Sequence, residues 1–132
     1  MNLTAGHIFE PQEFPVTRAS LVQYAGASGD FNQIHWSDRV ATSVGLPGVI
    51  AHGMLTLGLA ARAVAVWTDG AEVVDLGAKF TNPVVVPDDD TGTLVRVAGS
   101  VKKVEDGLAT LALEVTVDGT KVLGMPKAVV RA

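Results

Sequence analysis

The hydrophobic pattern of this chain changes period near Gly70. Before it, apolar positions follow helical spacing; after it, they alternate. From Gly53 to Trp67 the stretch GMLTLGLAARAVAVW carries only two strongly polar side chains, Thr56 and Arg62. A helix apolar on nearly every face belongs inside a core or inside lipid. Arg62 interrupts the run, and its uncharged part falls short of the roughly 20 residues that span a bilayer. The expectation is a helix buried on most sides and wrapped by the strands that follow.

Ahead of that helix, Ile8 to Phe14 is broken by Pro11 and Pro15 and reads as an edge strand or a leading arm. Thr17 caps a helix with Leu21, Val22, Tyr24 and Ala25 at helical spacing, ended by Gly26 and Gly29. A loop from Ser28 to Trp36 follows. Ser37 then caps a short helix through Val44, with Gly45 in the left-handed position beyond it, and Leu46, Pro47 and Gly48 form a second loop.

Past Gly70, Val74, Leu76, Ala78 and Phe80 alternate with Asp75, Gly77, Lys79 and Thr81, which predicts a half-buried strand. Asn82 and Pro83 interrupt it. An acidic loop from Pro87 to Gly92 leads to a second strand over Leu94 to Lys102. After the turn at Glu105, Asp106 and Gly107, a third strand has Ala109, Leu111, Leu113, Val115 and Val117 on one face. Asp118-Gly119 is the dipeptide of a two-residue hairpin, and a last strand covers about Thr120 to Val130. Pro126 within it must sit at a bulge, a break or an exposed edge. Helices followed by an antiparallel meander make an α+β layout, with the helix on one sheet face.

Composition removes whole classes of function. The 132 residues suit one domain and contain no cysteine, which excludes disulfides, thiolate metal sites and a cysteine nucleophile, and fits a reducing compartment. A net charge of −4 provides no basic stripe for nucleic acid. The opening MNLTAGHIFEPQEF has neither a basic n-region nor an apolar h-region, so no secretory signal and a cytoplasmic location are expected. An apolar content of 48 % is high for a small monomer and leans toward a subunit interface.

The candidate chemistry lies in the loop before the long helix. Asp30 and His35 are flanked by Phe31, Ile34 and Trp36, so the polar pair should face an apolar wall. A carboxylate and an imidazole within reach of one water can orient it and move its proton. On spacing alone, a capping Asp and a structural His are the commoner outcome. Asn32 suits a side-chain-to-backbone brace. Gly53 opens the long helix, where free amides and the positive dipole end favour an oxyanion, although His52 and Gly53 equally shape a helix start. His52 is either a third polar group or a helix-start residue, and His7 reads as surface. Asp30, His35 and His52 lack the double-His spacing of helical zinc sites, Ser28 has no nucleophile elbow, and Asp88 to Asp90 read as a solvated loop. Arg62 should snorkel outward or pair with an acid at an interface.

The string YAGASGDFNQIH, Tyr24 to His35, followed by Ala51-His52-Gly53-Met54 and the strand KFTNPVVVP, resembles the MaoC-like (R)-specific enoyl hydratase and dehydratase family. The likeness is greatest to the B subunits of the (3R)-hydroxyacyl-ACP dehydratases of mycolic-acid type II fatty-acid synthesis, and it covers nearly the whole chain. It implies a hot-dog fold, a long central helix wrapped by a curved antiparallel sheet, working as a homodimer or with a related hot-dog subunit. It also implies reversible dehydration of (R)-3-hydroxyacyl thioesters, on acyl-ACP or acyl-CoA, without cofactor or metal. By the same resemblance Asp30 and His35 are the catalytic pair that holds water, and the Gly53 amide faces the thioester oxygen. Phe31, Ile34, Trp36, His52 and Met54 are candidate substrate-lining residues. The acyl chain should lie in an apolar tunnel near the dimer interface. The alternatives are a non-catalytic acyl-binding or stabilising subunit and a thioesterase of the same fold class. Gln33 departs from the proline usual after the motif asparagine, which should loosen the loop, and Pro126 is atypical.

Overall fold

Thr17 and Ser20 close a reciprocal capping box: Thr17 Oγ1 accepts from the Ser20 amide at 3.3 Å, and Ser20 Oγ accepts from the Thr17 amide at 3.0 Å. That box starts helix α1, Arg18–Ser28, in the computed structural model, which describes residues 3–132. Gly29 ends the helix at φ 75°, whereas Gly26 keeps a negative φ and lies inside it, against expectation. Ser37 caps helix α2, Asp38–Ser43, and Gly45 follows at φ 94° as its position predicts. Helix α3 is Gly53–Trp67.

Among the described residues six strands follow the order β1 (Gln12–Val16), β2 (Val73–Phe80), β3 (Thr93–Glu105), β4 (Leu108–Val117), β5 (Thr120–Lys121) and β6 (Leu123–Arg131). They pair antiparallel in the spatial order β1-β3-β4-β6-β2, with β5 attached to β4. Two hairpins turn on residues able to hold positive φ: Asp106-Gly107 between β3 and β4, and Asp118-Gly119 between β4 and β5. Helix α3 packs against β2, β3 and β6, which is the hot-dog arrangement. Among the described residues no helix is long and apolar enough to cross a membrane.

The core forms where the inward faces of β3 and β4 meet α3. Val95, Val97 and Val101 of β3 and Ala109, Leu111 and Val115 of β4 are fully or almost fully buried against Ala60, Ala63 and Val64. Trp67 closes one end. Its ring stacks on Phe9 at 4.8 Å between centroids, and its Nε1–H donates to the Glu10 carbonyl at 2.8 Å. Gly99 leaves room for that ring, because a Cβ there would lie 2.9 Å from Trp67 Cζ3.

Four expectations change. The helix α3 is not enclosed on most sides: Thr56, Ala60, Ala63, Val64 and Trp67 are buried, while Met54, Gly58, Ala65 and Val66 face out. Arg62 also points outward, its guanidinium 5.3 Å from the Phe14 ring centroid. Strand β2 is an edge strand, and a register shift between Val73 and Asp75 displaces Val74 from the alternation. Val74 and Phe80 are therefore exposed, and only Leu76, Gly77 and Ala78 are half-buried. The last strand is split at Val122 into β5 and β6. Within β6, Pro126 lies in a bulge opposite Ala78, beside Met125 at φ 46°, one of the placements its missing N–H requires. At the amino-terminal side the regular strand is Gln12–Val16, with Ile8 forming only an isolated bridge to Ser100.

One polar junction ties the helices to the loop ahead of β3. Asp38 accepts the Val49 amide at 2.9 Å and both its oxygens accept from Arg18 Nη2 at 2.9 and 3.0 Å. Arg18 Nε donates in turn to the Val86 carbonyl at 2.7 Å. The Val49 amide first, and Arg18 second, hold the Asp38 carboxyl below its usual 3.8. A lowered folded-state pKa stabilises the fold above the unfolded value and ceases to do so as pH falls through the folded one. Asp38→Asn should therefore lower stability at neutral pH and flatten the stability-pH curve below 3.8, as read by urea unfolding across pH. In the core, Leu111→Ala at a site with 0 % exposure should cost about 2–5 kcal/mol, seen as a lower urea midpoint at unchanged slope.

Candidate active site

The loop between α1 and α2 is held by its own side chains. Asp30 Oδ1 accepts the Asn32 amide at 3.1 Å, and Asn32 Oδ1 accepts the Ile34 amide at 3.2 Å, capping the 3-10 turn Gln33–His35. Asn32 is thus a brace. Gln33 opens that turn, and its carbonyl accepts the Trp36 and Ser37 amides at 3.1 and 2.8 Å.

His35 is 8 % exposed, and its Nδ1–H donates to the Ile50 carbonyl at 2.7 Å. A carbonyl only accepts, so a proton sits on Nδ1, and in the neutral ring the lone pair is on Nε2. That Nε2 lies 3.8 Å from Asp30 Oδ2, too far for a direct hydrogen bond and close enough for one water to touch both. The Asp30 side chain is half exposed.

His52 is the N-cap residue of α3 and is 2 % exposed. Its Nε2–H donates to the Asp30 carbonyl at 3.1 Å, and its ring stacks on His35 at 3.8 Å and 22°. Desolvation lowers its pKa below the usual imidazole value of 6.5; the Asp30 carbonyl opposes this, His35 reinforces it and the Asp30 carboxylate opposes it. His52 is therefore neutral at physiological pH.

These groups open into one cavity of about 540 Å³, lined also by Gly53, Ile34, Met54 and Phe80. The Gly53 amide, in the first turn of α3, donates to no other backbone group of the described residues, and α3 has no side-chain cap. A Cβ on Gly53 would meet Phe80 Cε1 at 2.9 Å, so glycine here lets the aromatic ring lie against the helix start. Asp30, His35 and His52 offer ligand atoms within 4.8 Å of one another. The two imidazoles, however, are stacked, so their in-plane lone pairs run side by side instead of converging on a tetrahedral point.

The pattern of the MaoC like domain matches residues 3–119. This chain belongs to the MaoC-like family. It is 36 % identical over 72 residues to 3-hydroxyacyl-thioester dehydratase X of Mycobacterium tuberculosis, a match over 54 % of this chain and 25 % of that protein. A solved MaoC-like dehydratase superimposes with a TM-score of 0.92 at 31 % identity, over 98 % of this chain and 41 % of the other. A chain of the ChsH1-ChsH2 complex from Mycobacterium tuberculosis gives a TM-score of 0.83 at 19 % identity, over 98 % of both, a likeness of fold. The chain spans under half the length of the curated relatives it matches.

Within this MaoC-like domain the fold gathers Asp30, His35, His52, Gly53, Ile34 and Met54 at one cavity. Phe31 and Trp36 do not join them. They are 64 % and 53 % exposed, because Trp36 Nε1–H donates back to the Phe31 carbonyl at 3.0 Å and holds both outside the wall. The wall comes from elsewhere: Tyr24 and Ser28 of α1, Phe80 at the end of β2, Val84, and Val122 and Leu123 at the break between β5 and β6. Tyr24 and Ser28 are four apart on α1, a signal that one helix face looks onto the loop. Gly53→Ala should turn the Phe80 ring away from the helix start. The ring is 58 % exposed and free to swing, so the expected loss of stability is under about 1 kcal/mol, checked by thermal melting, with the displaced ring visible in a crystal structure of the variant.

Proposed function

We propose that this chain, as a single hot-dog domain, interconverts (R)-3-hydroxyacyl and trans-2-enoyl thioesters. The observation that carries the reading is the 3.8 Å gap between Asp30 Oδ2 and a lone-paired His35 Nε2, in the same cavity as an unengaged helix-start amide. In the hydration direction, water held in that gap adds its oxygen to C3 while the pair takes its proton. The pair then delivers a proton to C2 and ends as it began. Negative charge grows on the thioester oxygen as the C3–O bond forms, and the Gly53 amide with the helix dipole is suited to receive it. Nothing in this sequence of steps calls on a metal or cofactor.

The outward stripe of α3 and the edge strand β2 support a second hot-dog subunit, identical or related, as partner. Met54 and Phe80 both line the cavity and are both exposed, so its mouth opens at that uncovered face. The acyl chain and its carrier arm would then run along the boundary with the partner.

Crotonyl-CoA, and the matching acyl-ACP, test the reading. Loss of enoyl absorbance with the thioester intact is the expected result; released thiol would indicate hydrolysis, and no reaction on either carrier would favour an acyl-binding subunit. Asp30→Asn and His35→Gln should each lower turnover by about a hundredfold or more, the scale of losing a general acid or base. Near-normal turnover in either variant would remove that residue from the chemistry.

A further inference from the structure

The mechanism leaves one buried titratable group without a task. His52 sits at the back of the cavity with one nitrogen bonded to the Asp30 carbonyl and the other, Nδ1, buried and without a partner among the described residues. Its face lies against the ring of His35 at 3.8 Å, and Tyr24 packs on it at 4.8 Å and 56°. The groups that face it are thus the Asp30 carbonyl and carboxylate, the His35 ring and the Tyr24 ring.

We propose that His52 is a positioning residue, a neutral clamp that fixes the Asp30 backbone and the plane of His35 without exchanging protons itself. This rests on the hydratase reading above and assigns that site a residue beyond the reacting pair. The geometry favours one protonation state of His52. Its Nε2–H is engaged by a carbonyl, and a second proton on Nδ1 would be a buried donor with no acceptor beside it. Two imidazoles stacked this closely repel each other if both are charged, so only one of them can carry a proton cheaply. A buried Nδ1 with no acceptor makes His52 the costlier ring to charge, so the proton goes to His35, on the side facing the cavity.

The clamp also acts on the carboxylate. Asp30 is half exposed and hangs on a loop, so its backbone needs an anchor independent of the Asx bond to Asn32. The His52 bond to its carbonyl supplies one, from the N-cap residue of α3. Displacing the carboxylate by a fraction of an ångström would upset water placement far more than substrate affinity.

The test compares His52→Leu, His52→Phe and His52→Gln with wild type in enoyl-thioester hydration. Leu and Phe lack the donor to Asp30, and both should lower kcat roughly a hundredfold while KM stays near the wild-type value. Gln can present an N–H at the same distance along the side chain and should restore most of that loss. Equal activity in all three variants, or a loss confined to KM, would overturn the clamp. If Asp30→Asn and His35→Gln are inactive while His52→Leu is not, the clamp alone fails and the hydratase reading stands. Nitrogen-15 NMR of the wild-type imidazoles decides the matter even where a variant misfolds or the wild type proves inert on enoyl thioesters. His52 should hold the neutral Nε2–H tautomer throughout the pH range of the native fold, and uptake of a second proton there, or an Nδ1–H tautomer, would sink the proposal.

Discussion

Everything at the site depends on how the backbone from Val49 to Gly53 is held. Val49 accepts the Val86 amide at 3.0 Å, Ile50 donates to the Ile34 carbonyl at 3.1 Å, and Ala51 donates to the Val84 carbonyl at 2.8 Å. The segment is therefore stitched on one side to the loop following β2 and on the other to the loop that carries the polar pair. From this fixed strip three features project: the Ile50 carbonyl that sets the His35 tautomer, the His52 ring, and the Gly53 amide. Each would be free to wander in an ordinary loop. Here their relative placement follows from main-chain bonds, which side-chain substitution on the surface does not reach. Asp38 and Arg18 reinforce the strip by gripping the Val49 amide and the Val86 carbonyl from the helical side.

Much of this architecture was legible because its signals are local. The capping box at Thr17, the Ser37 cap, Gly45, and the two hairpins at Asp106-Gly107 and Asp118-Gly119 each rest on one or two residues whose backbone preferences admit few alternatives. The inward faces of β3 and β4 were legible for a related reason, since both strands have neighbours on each side and bury alternate residues at Val95 and Val97 and from Ala109 to Val115. Strand β2 was not. Alternation shows that one face is apolar and says nothing about what covers it, and the shift at Val74 changes the phase midway. The apolar run of α3 misled in the same way: its composition marks every face as suited to burial, yet only Thr56, Ala60, Ala63, Val64 and Trp67 are buried.

The site shows a comparable division. Asp30, Asn32 and His35 are close in sequence and tied by bonds two or three residues long, so their convergence could be anticipated, and Asn32 is the brace its loop position suggested. The aromatic wall could not be assigned to Phe31 and Trp36 by proximity. Adjacent residues in a tight turn point in different directions, and the Trp36 indole found a carbonyl outside the cavity. The residues that do form the wall come from α1, β2 and the break before β6, and only the sheet order brings those segments together. The stack of His35 on His52 is equally non-local, because it joins a 3-10 turn to a helix start through the Ile50 and Asp30 carbonyls.

The uncovered surfaces and the chemistry point to the same requirement. An enoyl thioester that conjugates with its carbonyl must lie flat between the proton-transfer pair and the oxyanion donor, and its apolar tail must be kept from water. On the proposed reading this chain would supply the pair and the donor, at a cavity whose mouth is edged by the exposed Met54 and Phe80. Filling that mouth with a second hot-dog subunit would bury the outward stripe of α3, satisfy the open edge of β2 and enclose the acyl chain in a single step. On that proposal the partner's identity would set how long a tail fits, while the reacting end would stay with residues this chain holds by its own backbone. Substrate reach and bond chemistry would thereby be separable, and variation in one need not disturb the geometry of the other.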